Sequence, residues 1–477
     1  MMTMIKPILL TAALPLLFAG CTSTNPKAAF NDVGKTVAAR TGQQVRWARD
    51  DSQRNEVAMT VETLLQTNLT VPAAVTIALL NNRSLQAEFE EVGISQADLA
   101  QAARLKNIVI VGSWRFPDRP PSLTDAEYSA AGDFLDLLTL PARKKIARRE
   151  LEQTKLRVAD SVLRLAADAQ TAFYTVQASG ELARRLGVIA EVNDAAADLA
   201  QRQYDAGNIN DLELRNSQAS AAQARLDSML AKAQTRAERE RLNRVLGLSG
   251  GQTQWKVADE LPRLPATELP LENLETLAVN QRLDLAAMRS EAEAVAAALR
   301  LKKNTRYLPG VTVGVSTERN TDGQRVTGPT LGLELPLFDQ GQPAVARLAA
   351  QYRQAQSRLA AMEVNTRSEV RQAQDGLLAA REAAEHYAKT LLPQRQQIVK
   401  ETLLHYNAMQ KSSYELLAAK EREQMAERGY VEALRDYWIA RAELEHAVGG
   451  RLSGDASPMS AMPKTNSTPT EEHKHNH

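Results

Sequence analysis

Three of the six histidines in this chain of 477 residues stand in its last five positions, in the run Glu471-Glu472-His473-Lys474-His475-Asn476-His477. Neutral imidazoles at alternating positions of a flexible segment can converge on Cu(II), Zn(II) or Ni(II), with the neighbouring carboxylates as further donors. Met459 and Met462 would add soft ligands for Cu(I). The competing expectation is a solvated tail that holds nothing, because residues 451–477 are rich in Ser, Pro, Thr and Asn, lack periodicity and read as disordered. Because the histidines are not consecutive, an expression tag is a poor reading of them. Elsewhere the chemistry is thin. There is no G-x-G-x-x-G opening a helix after a strand, no Walker loop and no H-E-x-x-H. His386, His405 and His446 each stand alone in helical sequence, where satisfied or solvated histidines are expected. No catalytic constellation is present, so no enzyme and no resident cofactor are expected.

Cys21 is the only cysteine. Disulfides, thiolate metal sites and cysteine nucleophiles are therefore excluded from the rest of the chain. Lys6 precedes an almost wholly apolar run, residues 7–20, that ends Leu17-Phe18-Ala19-Gly20. The run has the length of a signal-peptide core and is too short to span a bilayer as a helix. Two small residues directly before a cysteine resemble a lipobox, with Phe18 in place of the usual Leu. Residues 1–20 are thus expected to be removed and Cys21 to carry a covalent lipid, including palmitate. Thr22 is not the Asp that would flag retention at the inner membrane. The alternative is a plain secretory peptide that leaves Cys21 as a free thiol.

These ends need a scaffold. Net charge is +1 with 24% charged residues, so no basic field argues for nucleic acid. Aromatics make up 4%, and Ala, Gln, Glu, Arg and Leu dominate, which points to long helices. No later stretch of about 20 apolar residues exists. A chain of this kind could cross a membrane only as a closed β-barrel.

An internal repeat organises the chain, at an offset of about 200 residues, far longer than solenoid periods. Ala78-Leu79-Leu80-Asn81-Asn82-Arg83-Ser84-Leu85 answers Ala278-Val279-Asn280-Gln281-Arg282-Leu283-Asp284-Leu285. Leu138-Thr139-Leu140-Pro141 answers Leu333-Glu334-Leu335-Pro336. Tyr204 answers Tyr406, and the segment 242–247 answers 444–449. Each copy reads as helix, two strands, very long helix, short turn, helix. The expected divisions are an N-terminal segment at 21–70, a first repeat at 71–249, a Pro-containing linker at 250–271, a second repeat at 272–450 and the tail.

In the second copy Val311-Thr312-Val313-Gly314-Val315-Ser316-Thr317 and Leu331-Gly332-Leu333-Glu334-Leu335 alternate strictly. That pattern suits strands between lipid and a wet lumen. The first copy has a weaker version, expected at 107–116 and 134–140. Four strands per chain cannot close a membrane barrel, so several chains must contribute. Residues 142–204 hold no proline, and Pro141 suits a helix start. The stripe Leu348, Tyr352, Ala355, Leu359, Met362, Thr366, Val370, Ala373, Leu377, Ala380, Ala384, Tyr387, Leu391 steps by three and four. The extra step from Thr366 to Val370 is a stutter that relaxes supercoiling. An ordinary coiled coil is the bland alternative. Pro393 should interrupt this helix. The helices on either side of the first long helix, at about 75–105 and 211–247, together match its length by pattern, as in a tube wall.

The lipobox, the Ala78-to-Leu85 segment with its twin, and the turn Tyr204-Asp205-Ala206-Gly207-Asn208-Ile209-Asn210-Asp211-Leu212 together resemble the TolC-like outer-membrane factors. The resemblance covers most of residues 70–450. It implies a mainly α fold with a small β part, a homotrimer with a shared twelve-strand outer-membrane barrel, and an α-barrel of long coiled-coil helices in the periplasm. It also implies two partners, a periplasmic adaptor (a membrane fusion protein) and a proton-driven inner-membrane pump. In that family the turns after the long helices meet the adaptor. Here they would use Tyr204, Gly207, Asn208, Asp211 and Leu212, and in the second copy Tyr406, Met409, Lys411 and Ser412, with Met409 at the glycine position. Lys411 falls where the family carries a basic gating residue, and Glu415 where it carries the first of two pore-lining aspartates. Ala418 falls at the second, so the acidic ring would be thinner; Glu213 is the twin of Glu415. The alternative is that Glu213 and Glu415 are ordinary solvated helix residues. The expected function is a passive outer-membrane exit duct, with heavy-metal ions of the copper, silver or zinc class as cargo. A duct for drugs or organic toxicants is the second reading. A non-conducting periplasmic coiled-coil lipoprotein is the reading from another class.

Overall fold

The two copies break their first helix at equivalent residues, 82 and 282. In the computed structural model, which describes residues 24–116, 118–119, 123–268, 270–308 and 310–452, α3 (Val71–Asn81) is followed directly by α4 (Arg83–Ala102). The Asn82 side chain caps α4, its Oδ1 accepting from the Leu85 backbone amide at 3.0 Å, while its Nδ2 donates to the Val245 carbonyl at 2.9 Å. In the second copy Arg282 stands between α7 (Leu274–Gln281) and α8 (Leu283–Thr305), held by Asp284 at 2.6 Å and Glu369 at 2.5 Å. The closing helices α6 (Asp211–Leu246) and α11 (Ser413–Val448) end on Gly247 and Gly449, both left-handed. A Cβ on Gly247 would lie 2.7 Å from the Asn81 carbonyl oxygen, and one on Gly449 3.1 Å from the Arg282 Cα. Two landmarks that recur in the sequence thus touch each other in each copy.

The strands are β1 (Val109–Arg115), β2 (Asp125–Asp133), β3 (Gly310–Arg319) and β4 (Arg325–Glu334), in one antiparallel sheet of order β1-β2-β3-β4. This corrects the strand expected at 134–140. Those residues are the first turns of α5 (Phe134–Asp205), whose 72 residues reach about 108 Å. The Asp133 carboxylate caps that helix, accepting from the Leu135 and Asp136 amides. Pro141 therefore sits inside the helix and does not start it. The proposed match of Leu138–Pro141 with Leu333–Pro336 falls with it, since the first segment is helical and Leu333 and Glu334 end β4. The second strand escaped detection because Asp-Ala-Glu-Tyr-Ser-Ala-Ala-Gly-Asp carries few large apolar residues.

The second long helix is α9 (Gln342–His386) and α10 (Leu392–Asn407), joined through a π-helical turn, Tyr387–Leu391, just before Pro393. The Leu392 amide donates to the Tyr387 carbonyl, five residues back, and Pro393, which has no N–H to donate, follows directly. Opposite it, a Cβ on Gly429 of α11 would lie 2.5 Å from the Tyr387 ring carbon Cζ, so the glycine makes room for the phenol. Every position of the stripe from Leu348 to Leu391 is buried or half-buried, with Thr366, Val370, Leu377 and Ala384 fully so.

The N-terminal segment forms α1 (Lys27–Thr41) and α2 (Asp51–Leu65). Helix α1 docks on the first copy through Phe30, whose ring lies 5.0 Å from Phe89 and 5.3 Å from Trp47, and through buried Val33 and Val37. The expected linker is a strap packed across the helices. Gln177 donates to the carbonyls of Ala258 and Glu260, Trp438 to that of Pro262 at 2.9 Å, and Arg381 pairs with Glu268 at 2.7 Å.

Candidate functional site: an open sheet and two helical tips

The register assigns the sheet two unlike faces. Residues paired directly across antiparallel strands point the same way. The pairings Ile110↔Ala130, Ala130↔Val315 and Val315↔Pro329, and Gly132↔Val313 and Val313↔Leu331, put Ile110, Val313, Val315 and Leu331 on one face with Trp114, Tyr128 and Leu333. All are exposed, from 46% at Tyr128 to 72% at Ile110. The opposite face carries Ser113, Glu127, Ser129, Thr312, Ser316, Glu318 and Thr330, interrupted by Val109, Val111 and Val326. A sheet facing water keeps its apolar side covered; this one does not. Its outer strands, β1 and β4, have no further strand partner among the described residues.

Aromatic side chains mark both ends of the apolar face. Trp114 packs edge-on against Tyr128 at 5.7 Å and donates its indole N–H to the Tyr128 hydroxyl at 3.1 Å. Toward the helices stand exposed Tyr307 and Phe338. Strands β2, β3 and β4, of 9, 10 and 10 residues, have the length of a tilted membrane β-strand, and β1, with 7, is shorter. Among the described residues no helix is long and apolar enough to cross a membrane.

The tips lie at the far ends of the long helices and share one backbone design. After α5, Gly207 is left-handed (φ 74°), its amide donates to Tyr204 O at 2.8 Å, and the Asn208 amide donates to Gln203 O at 2.8 Å. After α10, Met409 is left-handed (φ 57°), its amide donates to Tyr406 O at 2.9 Å, and the Gln410 amide donates to His405 O at 2.9 Å. Both are Schellman closures, so the matching of Gly207 with Met409 holds in the hydrogen bonds as well as in the sequence. Asn210 caps α6 on the Glu213 amide, and Ser412 caps α11 on the Glu415 amide. Glu213 and Glu415 are thus equivalent third residues of their helices. Tyr204, Asn208, Asp211, Leu212, Tyr406, Met409, Lys411 and Ser412 are all exposed there. Met409 pays for the left-handed backbone that Gly207 takes freely. Met409→Gly should therefore stabilise the second tip by about 1 kcal/mol or less, read as slower amide exchange at Gln410.

Glu415 does two things at once. It completes a capping box, accepting from the Ser412 amide at 3.0 Å, and it pairs with Lys411 at 2.5 Å. The Lys411 ammonium first, then the Ser412 amide, hold its carboxyl below the ordinary range. Beside it one face of α10 (Gln394, Gln397, Ile398, Thr402, His405) and Lys411 line an open groove of about 420 Å³. The only sequence signal for this groove is the helical spacing of its lining residues along α10. His446 is half-buried in α11; burial first, then the Arg282 and Arg164 charges, hold its pKa down. Among the described residues no cluster of three metal-ligating side chains occurs. Cys21 and the tail residues His473, His475 and His477 lie outside the described residues.

Comparison with known proteins places this geometry. Residues 121–248 match the family model described as outer membrane efflux protein. A relative is the cobalt-zinc-cadmium resistance protein CzcC of Cupriavidus metallidurans, 24% identical over 397 residues, covering 80% of this chain and 90% of that protein. Among solved structures, the CmeC outer membrane channel of Campylobacter jejuni superposes with a TM-score of 0.70 at 14% identity, over 87% of this chain and 91% of that one. CusC, solved in a study of folding and transmembrane channel formation, gives 0.66 at 16% identity, over 80% and 92%.

Proposed function

We propose that the chain, whose residues 121–248 match the outer membrane efflux protein model, is the exit duct of a tripartite efflux system, passing substrates delivered by an inner-membrane pump through a periplasmic adaptor. The observation that carries this is the four-stranded sheet with an exposed apolar face and two unpaired edge strands. Three copies pairing β4 of one with β1 of the next would remove every edge and close a twelve-strand barrel, apolar face to lipid and polar face to the lumen. A periplasmic brace would have no use for such a sheet.

The tips are the adaptor surface in this reading, through exposed Tyr204, Leu212, Tyr406 and Met409 and the groove along α10. Three copies of Glu415 would set carboxylates at the mouth, each paired with Lys411, so the ring would favour cations by its local field only where that pair opens. Cys21 would carry the lipid that holds the chain at the outer membrane. The cargo we propose is heavy-metal cations. CzcC is named for resistance to such ions, and His473, His475 and His477 offer imidazoles that could hold Cu, Zn or Ni transiently.

Growth inhibition tests this reading, in a strain lacking the protein and complemented with the full chain or a version ending at Gly454. Copper, silver, zinc and nickel would be compared with organic antibiotics and dyes. The expected result is selective metal sensitivity, rescued fully only by the intact tail. Sensitivity to organics alone, rescued equally by both versions, would replace metal with organic cargo and leave the histidines without a role.

A further inference from the structure

Charge is distributed unevenly about the sheet. Where the strands meet the helices, residues 101–107, 133–148, 298–308 and 334–353 together hold twelve Lys or Arg and four Asp or Glu. At the loop end, residues 115–127 and 318–325 hold four and five. The whole chain carries only +1, so this excess is local.

The side chains are arranged to use it. Helix α5 leaves β2 with Phe134, Leu137 and Leu138 exposed, while Asp136, on another face, is buried against Arg143 at 3.0 Å. Positions 134, 138, 141, 145 and 148 follow one stripe in steps of three and four. Along that stripe the apolar turns give way to exposed Lys145 and Arg148, with half-buried Lys144 beside them. At the end of α8 the Arg306 guanidinium lies 4.1 Å over the ring of exposed Tyr307. Lys302 packs beside the same junction, its Cε 3.3 Å from where a Cβ on Gly341 would be. Exposed apolar and aromatic side chains succeeded within two turns by long cations are the pattern of groups that leave hydrocarbon and reach for phosphate.

We propose that this basic collar binds the anionic phosphodiester headgroups of the periplasmic leaflet, fixing the depth at which the sheet sits in the bilayer. The proposal rests on the membrane-spanning reading above. A lipid surface is the occupant that fits, because the collar is cationic, continuous with the apolar face of the sheet, and bordered by exposed Tyr307 and Phe338.

The test compares full-length wild type with the triple variant Lys144→Gln, Lys145→Gln, Arg148→Gln in bilayer discs of equal phosphatidylglycerol and phosphatidylethanolamine. Retained lipid is read by native mass spectrometry, and far-UV circular dichroism checks the fold. Each cation at an anionic surface contributes about fivefold, so the wild type should retain phosphatidylglycerol selectively and the variant should lose roughly tenfold or more of that selectivity. A matched variant on α6, Lys232→Gln, Arg236→Gln, Arg241→Gln, should keep it. Equal retention of both lipids by wild type, or full selectivity in the collar variant, overturns the inference and leaves the channel standing. Selectivity abolished by free inorganic phosphate would assign the collar to a soluble anion and overturn the lipid assignment. Failure of the wild type to enter the bilayer overturns the inference and the channel together.

Discussion

Val315→Arg should keep the chain from assembling in a bilayer, whereas Ser316→Arg, one residue along β3, should be tolerated. The two positions lie at the same depth and differ in face. Val315 is 56% exposed and shares its row with Ile110, Ala130 and Pro329. Ser316 shares its row with Val111, Ser129 and Gly328 on the other side. A Cβ on Gly328 would meet nothing within 4 Å, so there is space beside Ser316 for a longer side chain. Arginine on the lipid face near the bilayer midplane costs about 2–4 kcal/mol per copy, and every copy in a barrel would incur it. An arginine directed into a wet lumen incurs almost none of that cost. The measurement is the yield of folded protein in phospholipid vesicles, followed by conductance of the inserted fraction. Equal loss from both substitutions would mean that the faces have been assigned wrongly. Equal tolerance would mean that the sheet does not contact lipid.

Gly247→Ala is the second change with a large expected effect, because two costs fall on one methyl group. Gly247 has φ 69°, where an L-residue costs about 1–2 kcal/mol. The new Cβ would also lie 2.7 Å from the Asn81 carbonyl oxygen and 3.2 Å from the Asn82 Cα, and these are backbone atoms that cannot swing aside. Moving them loosens the bonds from Asn81 to the Gly247 carbonyl (2.7 Å) and from Asn82 to the Val245 carbonyl (2.9 Å). Each is worth about 1 kcal/mol, for a loss near 3 kcal/mol or more in all. Gly250→Ala supplies the control. Gly250 is also left-handed (φ 58°) but has nothing within 4 Å of its would-be Cβ, so only the backbone cost of about 1–2 kcal/mol applies. Thermal unfolding of the detergent-solubilised variants separates the two. Equal destabilisation would mean that the seam between α6 and the break at Asn82 is looser than these distances require.

The same seam shows why the repeat could be read from sequence. Residues 82 and 247 carry their roles in local chemistry: the Asn82 side chain caps a helix, and Gly247 ends one on a left-handed residue. The helix break recurs at 282 and the left-handed end at 449, although Arg282 makes no side-chain cap and is held by an ion pair where Asn82 uses its side-chain amide. The stripe through Val370 and Leu377, the interruption before Pro393, and the alternation of β3 and β4 were legible for the same reason. Periodicity and proline act along the chain. At the tips the equivalence of Gly207 and Met409 was visible from position alone, and the left-handed φ at both is its physical content.

What misled was local pattern whose meaning depends on distant partners. Phe134, Leu137 and Leu138 are exposed on the first turns of α5, just past the end of β2, and period alone did not distinguish that run from a strand. Strand β2, nearly bare of large apolar residues, is a strand because β1 and β3 pair along both its edges. Pro141 looked like a helix start, but the Asp133 carboxylate, an N-cap eight residues earlier, had already begun the helix. The strap at 250–271 offered no periodicity; its structure comes from Gln177, Arg381 and Trp438, all remote in sequence. By itself the sequence determined the two-copy plan, the long helices and the tips, because repetition, periodicity and capping are written residue by residue. Only the tertiary structure decided which face of the sheet is apolar, where the collar of cations lies beneath it, and that Glu415 is engaged by Lys411 and its own helix end. Faces, depth and pairing are relations between segments far apart in the chain, and they exist only once those segments meet.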